Sequence, residues 1–463
     1  MKKTTKARRL FLIIFIAAIA ITGVAIPWTI VRAVTCNVPS GYATIQAAIN
    51  DSSCDTIIIA EGDYTENLVI TRSVTIQGAG PGFSSGPGVT RILGDLSDRV
   101  VYVYTPSTPP GSPGVPTPVV NISDLSITRG SVSDRGGGVY NDSAVLTLNN
   151  VYLFENYATL DGDQLYGSGS AITTIQNSVL LSFPGGSGNS IKYSSGAVLG
   201  SLTIINSSLE GAGLGSTPRY AIFTTRSPVL LQNSDIYGFD GGIYVNTGAI
   251  TVENSTIRDN YFTGIAFFNG STGAISGSQI LRHGVTGGSQ SAAGISMVGS
   301  VTVTVDTTTI ANNWALDSSS QGNGIEMVDY LGNLGVITVT NSTLRQNADS
   351  GFYAEVSVNG APNSGDITLM NTEVYSNGAG LSLLSIAENG GNATTILDSN
   401  IYGNNGQGVQ ISQYGKRLLI ERSDIRENGN YGISIDMVPQ AEWARIRDTT
   451  IAYNGGSGLY LSD

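Results

Sequence analysis

One short phrase recurs along most of this chain and restricts what it can fold into. NSVL, NSSL, NSDI, NSTI, NSTL, NTEV, DSNI, RSDI and DTTI each close on a single apolar anchor. The anchors are Ile127, Leu153, Leu180, Leu209, Ile236, Ile257, Ile280, Ile310, Leu344, Val374, Ile401, Ile425 and Ile451, spaced 21 to 34 residues apart. Self-similarity at such a period marks a solenoid, because no repeat can bury its apolar side alone and stacked neighbours supply the core. Three residues beyond the anchor an asparagine recurs, at Asn156, Asn260, Asn313, Asn347, Asn377, Asn404, Asn428 and Asn454. Asparagine tolerates the left-handed backbone of a tight turn, and its amide can bond to the same side chain one coil away. These residues are expected to form an internal or turn-lining ladder.

A glycine and an alternating strand follow, as in Gly264-Ile265-Ala266-Phe267 and Gly408-Val409-Gln410-Ile411, and a further strand such as Ala249-Ile250-Thr251-Val252 leads to the next anchor. Period two means one face is buried. The expected fold is all-β, a right-handed parallel β-helix of about 13 coils with short strands stacked about 4.8 Å apart around a Val/Ile/Leu interior. Only 13% of the residues are charged and 59 are glycine, which suits strands and tight turns and disfavours a helix-rich alternative.

The N-terminus carries Lys2, Lys3, Lys6, Arg8 and Arg9, then an apolar stretch from Leu10 to Ile26, and reaches Val31-Arg32-Ala33. This pattern predicts a secretory signal over 1–33, and hence a secreted, extracellular or cell-surface protein with 34–463 as one β-helix domain. An uncleaved N-terminal anchor is the alternative; the mature form is expected to have no membrane span. Removing six basic residues takes the formal charge from −12 to −18. Such an acidic chain without a Lys/Arg cluster excludes nucleic acid as a partner. Cys36 and Cys54 are the only cysteines, and in an oxidising compartment they are expected to form a disulfide worth about 3 kcal/mol in the chain-entropy model.

The open start of a solenoid needs a cap. Thr44-Ile45-Gln46-Ala47-Ala48-Ile49 predicts a short capping helix, with Thr44 as N-cap and Ile45, Ala48 and Ile49 on the covering face. The proline-rich stretch 105–118 cannot join a ladder and reads as a loop insertion. Leu459-Tyr460-Leu461 reads as one more strand, so a further domain or partner is expected at that end.

After residue 36 the chain resembles the pectin lyase-like superfamily of parallel β-helices. The sharpest local likeness is TIQAAIN followed by DTIIIAEGDYTENLVI, which is similar to the capped first coil of pectin methylesterases, with their GxYxE pattern as Gly62, Tyr64 and Glu66. The superfamily's catalytic signatures do not follow. QDTL, DFIFG and WxDH are missing, the NTD-like Asn371-Thr372-Glu373 falls in the register of the repeat phrase, and the RIK-like Arg445-Ile446-Arg447 falls in a repeat strand. His283, the sole histidine, lies three residues past Ile280 and reads as a turn residue in place of asparagine.

The residue after each buried strand position points outward and generates a column: Tyr140, Tyr244, Ala266, Ser296, Glu326, Tyr353, Ser382, Gln410, Ser434 and Tyr460, with Lys192 and Phe223 aligned less directly. Tyr244, Glu326, Tyr353 and Gln410 are the candidate ligand contacts, since aromatic, hydroxyl and amide groups match sugar rings and hydroxyls. The expected partner is a polysaccharide or cell-surface glycan, and the expected role is to bind polysaccharide or to serve in adhesion or structure. The alternative is a polysaccharide lyase, epimerase or hydrolase acting on an acidic polymer through Glu326 and Glu355, with Asp329 nearby. No motif indicates a cofactor; a calcium ion between carboxylates is the one variant of the site left open.

Overall fold

The computed structural model describes residues 33–107, 114–183, 188–196, 200–213, 219–284, 292–314, 322–329, 335–356, 365–384, 393–414, 417–437 and 443–462. It separates into two units, Met1–Val34 and Thr35–Asp463. Nearly all of the expected signal segment therefore lies outside the described residues, as do 108–113 of the proline-rich loop. Among the described residues no helix is long and apolar enough to cross a membrane.

The second unit is a parallel β-solenoid. A typical coil contributes Gly241–Asn246 to one sheet, then Ala249–Glu253 and Thr256–Arg258 to another. Among the described residues the first sheet has fifteen strands and the second twenty-nine, and strands pair in parallel with their counterparts one coil on. All thirteen anchors fall in one ladder, with Ile236 opposite Ile257, Ile257 opposite Ile280 and Ile280 opposite Ile310. Two coils without the repeat phrase precede them, their sheet strands being Leu68–Ile70 and Val101–Tyr104. Strands alternate buried and outward positions, and the buried ones fuse into one continuous core. Each fully buried Ile or Leu in it contributes roughly 1.5–3 kcal/mol.

The repeat phrase acquires a physical meaning at the corner between the two strands of the larger sheet. The asparagine of NSxI adopts the left-handed conformation there, with φ 53° at Asn177, 49° at Asn206 and 48° at Asn254. The following serine then faces inward, where Ser255 N–H donates to Ser278 Oγ at 3.1 Å and Ser255 Oγ donates to the Glu253 carbonyl at 2.8 Å. A corner would otherwise bury unpaired backbone groups, so the hydroxyl is required.

The asparagine ladder runs along the next corner. Asn377 Oδ1 accepts from Asn347 N at 3.0 Å and Nδ2 at 2.9 Å, while Asn377 Nδ2 donates to Asn404 Oδ1 at 3.0 Å and to the Leu344 carbonyl at 3.0 Å. One expectation is corrected here: the left-handed residue is the one before the ladder asparagine, such as Asp259, Gln346 or Glu427, because the ladder side chain must point inward. His283 occupies a rung, its N–H donating to Asn313 Oδ1 at 3.1 Å and its Nδ1 accepting from Asn260 N at 3.4 Å. It is wholly buried.

The start of the solenoid is closed by the helix Ile45–Asn50, whose Ile45, Ala48 and Ile49 are buried and whose first turn is capped by Thr44 Oγ1, accepting from Ala47 N at 3.1 Å. Cys36 and Cys54 form the disulfide, with Cα atoms 5.6 Å apart. Glu66 of the GxYxE pattern accepts from Ile45 N at 2.8 Å and Gln46 N at 2.9 Å, so its carboxylate holds the helix N-terminus. Gln46 in turn accepts from Val69 N at 2.8 Å and donates to the Val69 carbonyl at 3.1 Å. Its amide stands in for the missing rung and blunts the edge of the first strand. The GxYxE pattern is thus a capping device in this chain. Glu66→Ala is expected to cost about 1–2 kcal/mol and Glu66→Gln less, measured as the shift in the urea midpoint.

Candidate functional site

The outward column of the fifteen-stranded sheet is continuous. From Tyr102 it passes in strict register through Tyr140, Tyr166, Lys192, Phe223 and Tyr244. It continues through Ala266, Ser296, Glu326, Tyr353, Ser382, Gln410, Ser434 and Tyr460. Lys192 and Phe223 therefore belong to it. Tyr102 and Tyr166 were missed from sequence because their coils lack the glycine that marks the others; the alternation in Val101-Tyr102-Val103-Tyr104 was the available signal.

The column has two unlike halves. In the first, rings meet ring to ring: Tyr102 and Tyr140 centroids are 5.2 Å apart, Tyr140 and Tyr166 also 5.2 Å, and Phe223 and Tyr244 4.3 Å. Tyr244 also stacks on Phe268 at 4.6 Å, so both its faces are covered and it presents its edge and hydroxyl outward. Arg99 lies over the Tyr102 and Tyr140 rings at 5.1 and 4.8 Å, Arg135 over Tyr166 at 5.4 Å, and Lys192 Nζ over Phe223 at 3.1 Å. Cations over aromatic faces fix the platform. Burial holds the Tyr166 and Tyr244 hydroxyls above the usual phenol range and lowers the Lys192 ammonium.

The second half is made of small polar residues and carboxylates. Glu326 and Tyr353 are paired across adjacent rungs. Both are buried, at 6% exposure each, although the register points them outward. Tyr353 Oη donates to Glu355 Oε2 at 2.5 Å, and Ser350 Oγ and Ser382 Oγ are 2.9 Å apart. Glu355 pairs with Val328, one strand position pair away from Glu326 on the neighbouring coil. The structure thus brings Glu326, Tyr353 and Glu355 together, leaves Tyr244 four rungs from Tyr353, and places Gln410 two rungs beyond it. The Asp329 side chain and residues 285–291 and 315–321 lie outside the described residues. Among the described residues no group of three or more His, Cys, Asp or Glu side chains is placed to hold a metal ion.

A recess of about 730 Å³ follows the asparagine corner between Asn150 and Thr256. Two of its amides already bond to one another, Asn206 Nδ2 donating to Asn177 Oδ1 at 3.4 Å. Beside the aromatic half, Asp163 is buried under the turn that precedes Leu165–Ser168 and accepts from Ala158 N at 2.9 Å. Burial pushes its carboxyl up to about 7 against the opposing pull of Arg219. Neither feature was anticipated from sequence.

A family model described as "Right handed beta helix region" matches residues 187–361 and 328–463, together more than half of the chain. No curated protein matches it in sequence. Among solved structures it is similar to the periplasmic alginate epimerase AlgG, with TM-score 0.47 and 11% identity over 90% of this chain and 83% of that one. It is also similar to the catalytic domain of a GH87 alpha-1,3-glucanase, with TM-score 0.45 and 14% identity over 91% and 69%. A third is the A-module of the Azotobacter vinelandii mannuronan C-5 epimerase AlgE6, with TM-score 0.44 and 15% identity over 77% and 93%.

Proposed function

Since this chain belongs to the right-handed β-helix family, we propose that it is an exported rod that binds polysaccharide along the outward face of its fifteen-stranded sheet. The observation that carries this reading is the continuous outward column, most of it aromatic, hydroxyl and amide side chains, held in register from rung to rung. A repeating polymer is met by a repeating surface, and ring edges and hydroxyl tips suit the mixed apolar and polar character of a sugar chain. The Cys36–Cys54 bridge fits export, because disulfides persist in oxidising compartments.

The test is retention of the mature protein, from Val34 on, by immobilised or gel-embedded polysaccharides, with reducing-end and unsaturated products followed in parallel. Retention without products is expected. Tyr140→Ala and Tyr102→Ala should each weaken retention about tenfold, as for aromatic anchors at other interfaces, while the far-ultraviolet spectrum stays unchanged. A second reading, a carbohydrate-active enzyme, is favoured by one arrangement: Glu326 beside Tyr353, with Tyr353 bonded to Glu355. Product formation that disappears in Glu326→Gln or Glu355→Gln would establish it in place of the binding role.

A further inference from the structure

The charges on the same face identify the class of glycan. Among the described residues the two outward columns of the fifteen-stranded sheet hold one cation, Lys192, against four carboxylates, Asp142, Glu326, Glu355 and Asp436. That cation is committed within the fold, since Lys192 Nζ lies 3.4 Å from Asp161 Oδ2 and over the Phe223 ring. The arginines at the rim are matched in the same way. Arg99 lies 3.3 Å from Asp98 and 3.6 Å from Asp134, and Arg135 lies 3.4 Å from Asp134. A polyuronate or sulfated chain requires a line of cations with spare charge to offset its own, and this face carries a net negative charge on an acidic protein. The paired cations instead lie over the ring faces and hold them in place.

Resting on the binding role proposed above, we infer that the face takes an uncharged polysaccharide, recognised by hydroxyl, amide and aromatic contacts, and rejects polyuronates by like charge. Rejection is strongest in the second half, where Glu326 and Glu355 stand on neighbouring rungs with no described basic side chain in either column.

The experiment is affinity electrophoresis of the mature protein in gels containing a soluble β-glucan, an α-glucan, a mannan, polygalacturonate or alginate, at about 20 mM and about 500 mM salt, with and without calcium. Retention by at least one neutral polymer is expected, changing less than twofold with salt because exposed charge interactions are screened over that range while neutral contacts are not. Polygalacturonate and alginate should bind at least tenfold more weakly at low salt. The Asp142→Asn, Asp436→Asn double variant, which leaves the Glu326, Tyr353 and Glu355 group intact, should gain polyuronate retention at low salt without losing the neutral polymer. Preferential retention by a polyuronate, with or without calcium, would overturn the inference and leave the binding role standing. Failure of every polymer to retard the protein would overturn both.

Discussion

Replacing Asn377 with alanine should lower the stability of the solenoid by about 3–5 kcal/mol and shorten the cooperative unit. The side chain is fully buried, and it links Asn347, Asn404 and the Leu344 carbonyl through four hydrogen bonds. Truncation leaves at least two buried groups unsatisfied, each at about 1–3 kcal/mol, and opens a small cavity. In a solenoid each coil contacts only its neighbours, so the lost rung also weakens the coupling between the two halves. Urea unfolding should show a lower midpoint, and native-state hydrogen exchange should show faster opening of the coils around Leu344 and Ile401. A change below about 1 kcal/mol would mean that water enters and replaces the amide. Asn454 at the last coil is more accessible than Asn377, so Asn454→Ala should cost clearly less.

The second large effect is a pair of opposed pH dependences. His283 is wholly buried in the ladder, and burial lowers its imidazole to about 4 from 6.5. Its stability contribution is present above the unfolded value near 6.5 and is lost as pH falls towards 4, by about 3 kcal/mol in total. Asp163 runs the other way, because burial raises its carboxyl to about 7 from 3.8. Its contribution is present below about 4 and is lost as pH rises towards 7, by about 4 kcal/mol. Between pH 4 and 6.5 the two slopes oppose each other, and the intact protein should show a flatter profile than either variant. His283→Asn, which restores the ladder residue, should leave stability falling as pH rises, relative to the intact protein. Asp163→Asn should leave it rising, each by about 1.4 kcal/mol per unit at most. Urea midpoints at pH 4, 5, 6 and 7 decide this; parallel profiles for all three proteins would show that neither group titrates as its burial implies.

Both effects arise at positions whose residue type is dictated by the coil. A ladder corner holds a side chain that accepts from the backbone N–H one coil back, which asparagine does through Oδ1 over several successive coils and neutral His283 does through Nδ1 at Ile280's coil. This is also why His283 carries no chemistry on the outward face. The Glu326, Tyr353 and Glu355 group differs, since nothing in the core requires two glutamates and a tyrosine on adjacent outward positions.

Much of this architecture was written in local patterns. The anchors, the alternation after each glycine and the asparagine positions are properties of a few consecutive residues, and all thirteen anchors line up in one ladder as their spacing implied. The capping helix and the cysteine bridge were legible for the same reason: a capping threonine, an apolar face and a lone pair of cysteines are short-range or compositional signals. Three things were not. The serine of the repeat phrase proved to be a corner hydroxyl bonding to the next coil, a contact between residues 21 to 34 positions apart that the phrase itself does not announce. The aromatic first half of the face depended on coils of irregular phrase, Val101–Tyr104 and Leu165–Ser168, whose register is set by pairing with their neighbours. And the pairing of Arg99 with Asp134 and of Lys192 with Asp161 brings together segments from successive coils. Backbone geometry within a coil is a short-range matter and shows in the sequence; which side chains become neighbours across coils depends on turn lengths and burial, and only the stacked structure decides it.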